Sequence, residues 1–326
     1  VVPPGLSGRW QALSYESEAL RRNPLGDPHV RPVYVWAPDG DGPYPVIFCL
    51  QGFTGSAPAW FNVRPWERSF PQEVEALAPE AIVVLVDAFT AVGGSQYLDS
   101  PAIGDYHTYL CDELVPWIDS RFPTSGVRGL QGKSSGGYGA MVNAMLRPDL
   151  FAGFASHAGD ALFDATYRRG FVEVARALRD SYEGSYERFL EDFRSRRPLS
   201  KPTDHVLIET WAMAAAYSGG ELPFDLETGE VVAEVWADWL AWDPVEMARR
   251  DRFAAALRGM RAIWIDAGSR DEFFLDLAAA AFRRALAAAG VPDEVVRFEL
   301  HEGGHFSTAW RYPLALAWLV ERLAGP

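Results

Sequence analysis

An α/β architecture with a mostly parallel sheet flanked by helices is predicted by three features of this 326-residue chain. Short continuous apolar runs alternate with segments of helical periodicity, and two alternating segments precede them. The third feature is a strand, a tight turn and a helix centred on Gly132-Lys133-Ser134-Ser135-Gly136-Gly137. Residues 9–17 and 30–36 alternate as half-buried antiparallel strands do, whereas 45–50 and 81–86 are apolar throughout, as in parallel core strands covered on both faces. Helical spacing follows at 70–78 and 107–121. A strand at 126–131, a helix at 135–146, further strands at 151–156, 262–266 and 295–300, and closing helices at 277–289 and 310–323 complete a βαβα order. Between about 158 and 259 the sheet is interrupted by roughly a hundred residues that read as helices, at 171–180, 186–194, 205–217 and 244–258. The expectation is one domain over 1–326 with a mostly helical insertion at 158–259 after the sixth strand, at the sheet edge where active-site walls are built.

In that setting Gly-x-Ser-x-Gly is the nucleophile elbow of the α/β-hydrolase fold. The chain must turn sharply at Ser134 and lift its hydroxyl above the sheet, and the flanking glycines remove Cβ atoms that would collide in the turn. A serine hydroxyl is a weak nucleophile at neutral pH. It needs a histidine base, and the histidine needs a carboxylate to hold its tautomer. Of six histidines, only His301 and His305 follow the last strand, where this chain order places the base. His305 is the candidate because Glu302-Gly303-Gly304-His305 forms a loop running into a helix, while His301 sits at the strand end. The acid belongs after strand 262–266. Asp271 is preferred over Asp266 and Glu272, since a glycine-containing turn frees it to reach the histidine loop. Asp266 is expected to satisfy amides at the strand end and Glu272 to face solvent or cap a helix. The amides of Ser135 and of Phe53, in Gln51-Gly52-Phe53-Thr54, are the expected oxyanion donors.

Composition narrows the partners. A formal charge of -14 and the lack of any basic run leave no footprint for nucleic acid. No apolar run reaches transmembrane length, no histidine pair has metal-ligand spacing, and no cofactor is implied. Gly132-Lys133-Ser134 lacks the glycine-rich lead-in of a phosphate loop. Lys133 beside the nucleophile invites a Ser-Lys mechanism, but neighbouring residues at an elbow point in different directions. Cys49 and Cys111 read as buried thiols. The compartment stays open: a cytoplasmic location is favoured, and a start at Val-Val-Pro-Pro is compatible with a removed leader. Trp60, Phe61, Trp66 and Trp310 flank the oxyanion and histidine loops and are the candidate walls of an aromatic cleft suited to an apolar or aromatic acyl group. Oligomeric state is not readable.

Gly132 through Ala140 resembles the elbow of the esterase family that includes esterase D, S-formylglutathione hydrolases, feruloyl esterases and antigen 85 mycolyltransferases. Residues 265–273, Gly304-His305 and Gln51-Gly52-Phe53-Thr54 resemble its acid, histidine and oxyanion loops, and Trp242-Asp243-Pro244 resembles a segment before its penultimate strand. The resemblance spans about 30–323. Lys133 and the length of 158–259 depart from it. It implies a serine esterase acting on a small-molecule ester through an acyl-enzyme. A peptidase or acyltransferase of the same fold, or a binding module with a decayed site, are the alternatives.

Overall fold

The computed structural model describes residues 6–325. One eight-stranded sheet is built from β1 (Gln11–Glu16), β2 (Val30–Trp36), β3 (Tyr44–Leu50), β4 (Ile82–Val86), β5 (Thr124–Lys133), β6 (Gly153–His157), β7 (Ala262–Gly268) and β8 (Val296–His301). Their spatial order is β1-β2-β4-β3-β5-β6-β7-β8. β2 runs antiparallel to both β1 and β4, and every other pair is parallel. All eight strands fall where the sequence predicts them. Two ribbons of two-residue strands, Phe89–Thr90 with Gly93–Gly94 and Asp99–Ser100 with Gly104–Asp105, are additional.

Burial on both faces explains the unbroken apolar runs. Along β3, Ile47 and Cys49 enter a cluster with Trp36, Trp264, Phe70 and Leu319, while Val46, Phe48 and Leu50 enter the larger core on the opposite face. Helices α1 (Phe70–Leu77) and, at the chain end, Arg311–Ala324 contribute to the first cluster. The larger core takes in α2 (Val115–Arg121), α3 (Ser135–Leu146) and the segment between β6 and β7. The helix predicted at 107–121 is interrupted: Tyr109–Leu114 is π-helical, and the Val115 N–H donates to the Leu110 carbonyl. Pro116 has no N–H to give, so the ordinary ladder fails at this turn.

Between β6 and β7 stand a short turn at Phe163–Thr166 and helices α4 (Phe171–Tyr182), α5 (Tyr186–Ser195), α6 (Asp204–Ser218), α7 (Ala233–Ala241), α8 (Pro244–Ala248) and α9 (Asp251–Arg258). After β7 comes α10 (Leu275–Ala288), and Arg311–Ala324 is α11. The single helix predicted at 244–258 is two, because Arg250 is extended (φ -92°, ψ 133°). Asp243 ties two distant parts of this segment together. Its carboxylate accepts from the Leu162, Phe163 and Val245 amides at 3.0, 2.8 and 2.9 Å, so one side chain joins the segment's entry to the start of α8.

Candidate active site

Ser134 separates β5 from α3 and has φ 55°, ψ -125°, a conformation that L side chains rarely adopt. The surroundings force it. A methyl group on Gly132 would run into the Gly136 backbone, and one on Gly136 into the Leu50 carbonyl at the end of β3. Two backbone bonds pin the turn: the Ser134 amide donates to the His157 carbonyl at 2.9 Å, and the Tyr138 amide donates to the Ser134 carbonyl at 2.8 Å. Neither the Ser135 nor the Phe53 amide makes a hydrogen bond to another described residue.

The loops after β7 and β8 are tied together by the Ser269 amide on the His301 carbonyl (2.8 Å) and the Arg270 amide on the Gly303 carbonyl (2.9 Å). Asp271 and His305 therefore meet. His305 Nδ1 lies 2.8 Å from Asp271 Oδ2, and both side chains are buried. The other Asp271 oxygen accepts from the Phe273 amide at 2.9 Å, so the residue caps the turn before α10 and faces the histidine at once. Glu272, expected in solvent or at a helix cap, accepts the His305 amide at 2.6 Å through Oε2 and anchors the loop. Only its position next to Asp271 could have suggested that. Phe273 packs edge-on against the His305 ring, centroids 4.8 Å apart.

Asp266 is occupied elsewhere. It meets His157 Nδ1 at 2.7 Å, Trp264 Nε1 at 2.8 Å and Arg311 Nε at 2.7 Å, and Arg311 continues to Glu299 at 2.6 Å. Burial alone would raise this carboxyl, but His157, Trp264 and Arg311 outweigh it and hold it at about 2.

Ser134 and His305 line one cavity of about 360 Å³, together with 51–55 of the loop after β3. The far wall comes from the segment between β6 and β7 and is polar: Asp160, Thr166, Tyr167, Arg169, His205 and Glu209. Asp160 accepts from Gln96 at 3.1 Å and Ser135 Oγ at 3.4 Å. Burial raises its carboxyl against the pull of Gln96. Lys133, half-buried, has Nζ 5.5 Å from the centre of the Phe306 ring. Burial lowers its ammonium pKa, opposed by Asp271 and Glu272.

The four aromatic residues predicted as cleft walls stand outside this lining. Trp60 packs between Phe70 and Tyr312 in the sheet's core, and Phe61 against Trp10 and Tyr34. Trp66 is 100 % exposed and Trp310 is 51 % exposed beside His301. Proximity in sequence to the oxyanion and histidine loops did not translate into facing Ser134, because Trp60 and Phe61 pack into the apolar cluster with Ile47 and Cys49 while Trp66 and Trp310 turn to solvent. The aromatic rings that do line the cavity are Phe53, Tyr167, Phe273, Phe306 and Tyr312. Among the described residues no helix is long and apolar enough to cross a membrane.

The fold and this arrangement define an α/β-hydrolase. The sequence model of the family described as putative esterase matches residues 28–318, and the chain belongs to that family. It is by that membership a carboxylic ester hydrolase. No curated protein matches the chain in sequence. Among solved structures it is similar to a ferulic acid esterase, with 20% identity and TM-score 0.60 over 97% of this chain and 98% of that one. It is also similar to an S-formylglutathione hydrolase from Agrobacterium tumefaciens, with 17% identity and TM-score 0.59 over 96% and 95%. A third is a fluorophosphonate-binding serine hydrolase of Staphylococcus aureus, with 15% identity and TM-score 0.58 over 97% and 98%. At these identities the likeness is one of fold.

Proposed function

We propose that this protein is a serine esterase that cleaves a small carboxylic ester through an acyl-enzyme, with Ser134 as nucleophile, His305 as base and Asp271 as its orienting acid. The observation that carries the reading is the buried His305–Asp271 pair in a cavity shared with Ser134. Ser134 Oγ adds to the ester carbonyl as His305 takes its proton through Nε2, with Asp271 holding the Nδ1 proton and stabilising the imidazolium. The tetrahedral oxyanion is received by the Phe53 and Ser135 amides, which have no other described partner. Collapse expels the alkoxide, which takes the proton from His305. Water then attacks the acyl group, giving its proton to His305, and a second collapse releases the acid and reprotonates Ser134. No step calls for a cofactor. Residues 1–326 act as one domain, and 158–259 supplies the wall that meets the substrate.

A fluorophosphonate probe tests the reading directly. Wild-type protein should be labelled and should hydrolyse p-nitrophenyl acetate, and Ser134→Ala should lose both. Labelling that persists in Ser134→Ala, or an unlabelled wild type, would remove Ser134 from the mechanism.

A further inference from the structure

The wall opposite the His305 loop lacks the apolar character that an alkyl or plain aryl acyl group would require. Helix α6 begins at Asp204, so its first turns present His205 and Glu209, four residues apart, on one face that lines the cavity with Ser134. His205 is held from two sides. Its ring lies nearly parallel to that of Phe273, centroids 5.5 Å apart at 29°, and 6.3 Å from Phe53, so it bridges the loops that flank the candidate nucleophile. Its Nδ1 is 3.7 Å from Glu209 Oε2, too far for a hydrogen bond.

Glu209 has no hydrogen-bond donor for its carboxyl group among the described residues, although protein surrounds it and only 27% of its side chain remains exposed. Its carboxyl group opens on the cavity, where a bound molecule can supply the partner that the protein does not. Burial and the neighbouring Asp160 push its pKa up to about 8 against the opposing pull of Arg169, and burial lowers that of His205. With its proton kept, the Glu209 carboxyl both donates and accepts, beside an imidazole that does the same.

Resting on the serine-esterase reading above, we infer that His205 and Glu209 form a subsite for a neutral hydroxyl group of the substrate, so that the favoured substrate is a small hydroxylated ester. An ammonium group would meet Arg64, Lys133 and Arg169 in the same cavity, and a carboxylate would be drawn to those cations rather than to the Glu209 carboxyl. An alkyl group would bury against Glu209 and leave both side chains unanswered. A hydroxyl satisfies the two together without moving a charge into the cavity. The cavity, at the small end of the range for ligand sites, limits the rest of the molecule.

The test uses two matched pairs of esters at pH 7, methyl butyrate with methyl 3-hydroxybutyrate and propyl butyrate with glycerol monobutyrate, placing the hydroxyl on the acyl or the alcohol side. In at least one pair the hydroxylated ester should have a kcat/KM about 10-fold or more above its partner, because sites built to hydrogen-bond a hydroxyl discriminate strongly against analogues that lack it. Glu209→Leu should bring that ratio near one, and Glu209→Gln, which keeps a donor and an acceptor, should retain most of it. Fluorophosphonate labelling of Ser134 checks that each variant is folded, and His205→Leu reads the same ratio should Glu209→Leu fail that check. Equal rates within both pairs in a labelled wild type, or a preference that survives the leucine variants, would overturn the subsite alone. A wild type neither labelled nor active on any ester would overturn the Ser134 reading and the subsite with it.

Discussion

Ser134 carries a backbone cost that its neighbours impose. A non-glycine residue at φ 55°, ψ -125° stores on the order of 1–3 kcal/mol, which the close approach of Gly132, Gly136 and the Leu50 carbonyl makes unavoidable. Glycine adopts that conformation freely. Ser134→Gly should therefore lose all labelling while raising the melting temperature, by the equivalent of about 1 kcal/mol after glycine's larger unfolded-state entropy is set against the relief. A Ser134→Gly protein less stable than Ser134→Ala would show that the turn is relaxed. The two aspartates beyond β7 divide differently. Asp271→Asn should reduce kcat by a factor on the order of 10²–10⁴, since an amide can present its N–H to His305 and stabilise the wrong tautomer. Asp266→Asn should instead lower thermal stability, because it strips charge from a buried junction of His157, Trp264 and Arg311. Held at about 2 in the fold, Asp266 contributes stability that is present above its unfolded value near 4 and is lost as pH falls through 2. Glu209 has the opposite sign. With a folded pKa of about 8 it keeps its proton after the unfolded chain has released it near 4, so stability falls as pH rises between those limits, by at most about 1.4 kcal/mol per pH unit. Melting temperatures at pH 5, 6.5 and 8 should show Glu209→Gln gaining on wild type at each step, with Asp160 adding to the effect and Arg169 reducing it.

At the scale of elements, what was legible in the sequence is what local chemistry dictates. The strands were readable because parallel core strands need unbroken apolar runs, and the elbow because only glycine fits at 132 and 136. Asp271 and His305 were readable from their loops, and the structure brings them to 2.8 Å. Features set by long-range packing were not readable. Helix α7 is absent from the predicted elements because no side chain caps its start, although Val235, Trp236, Trp239 and Leu240 recur at helical spacing and one side packs against α4 and α6 through Trp239. The Trp60, Phe61, Trp66 and Trp310 assignments failed at the same level, because sequence neighbourhood says nothing of which way a loop turns. His205 and Glu209 lie four residues apart on one helix, and only the placement of α6 beside the 51–55 loop gives them a cavity to line. Asp243 is a comparable case: it caps α8 through the Val245 amide, but its two bonds to Leu162 and Phe163 span some eighty residues. Asp243→Ala should leave three amides unpaired, two of them buried, and lower stability by roughly 2–4 kcal/mol, measurable by urea denaturation. A change under about 0.5 kcal/mol would mean that the entry to the β6–β7 segment is held by packing alone.

Across the whole molecule, the question is whether the helices between β6 and β7 form a cap that folds by itself or part of the sheet's own core. One apolar cluster runs from Phe48, Val84 and Phe154 on the sheet through Tyr138 and Phe163 to Phe171, Tyr217, Trp236 and Trp239. The rings of Tyr167, Phe171, Tyr217 and Trp236 all lie within 6 Å of Trp239, which is fully buried at the centre of that join. A core without a seam melts as a unit, whereas a cap with its own core would melt separately. Calorimetry on the wild type should therefore show a single transition. Trp239→Ala, which removes the largest side chain at the junction, should move that one transition down by the equivalent of about 3–5 kcal/mol without splitting it. Since Trp239 does not line the cavity, the variant below its melting temperature should keep the ratio of rates between hydroxylated and plain esters. A wild-type thermogram with two resolved peaks, or a Trp239→Ala variant in which only part of the heat shifts, would show that residues 158–259 are an independently folding cap.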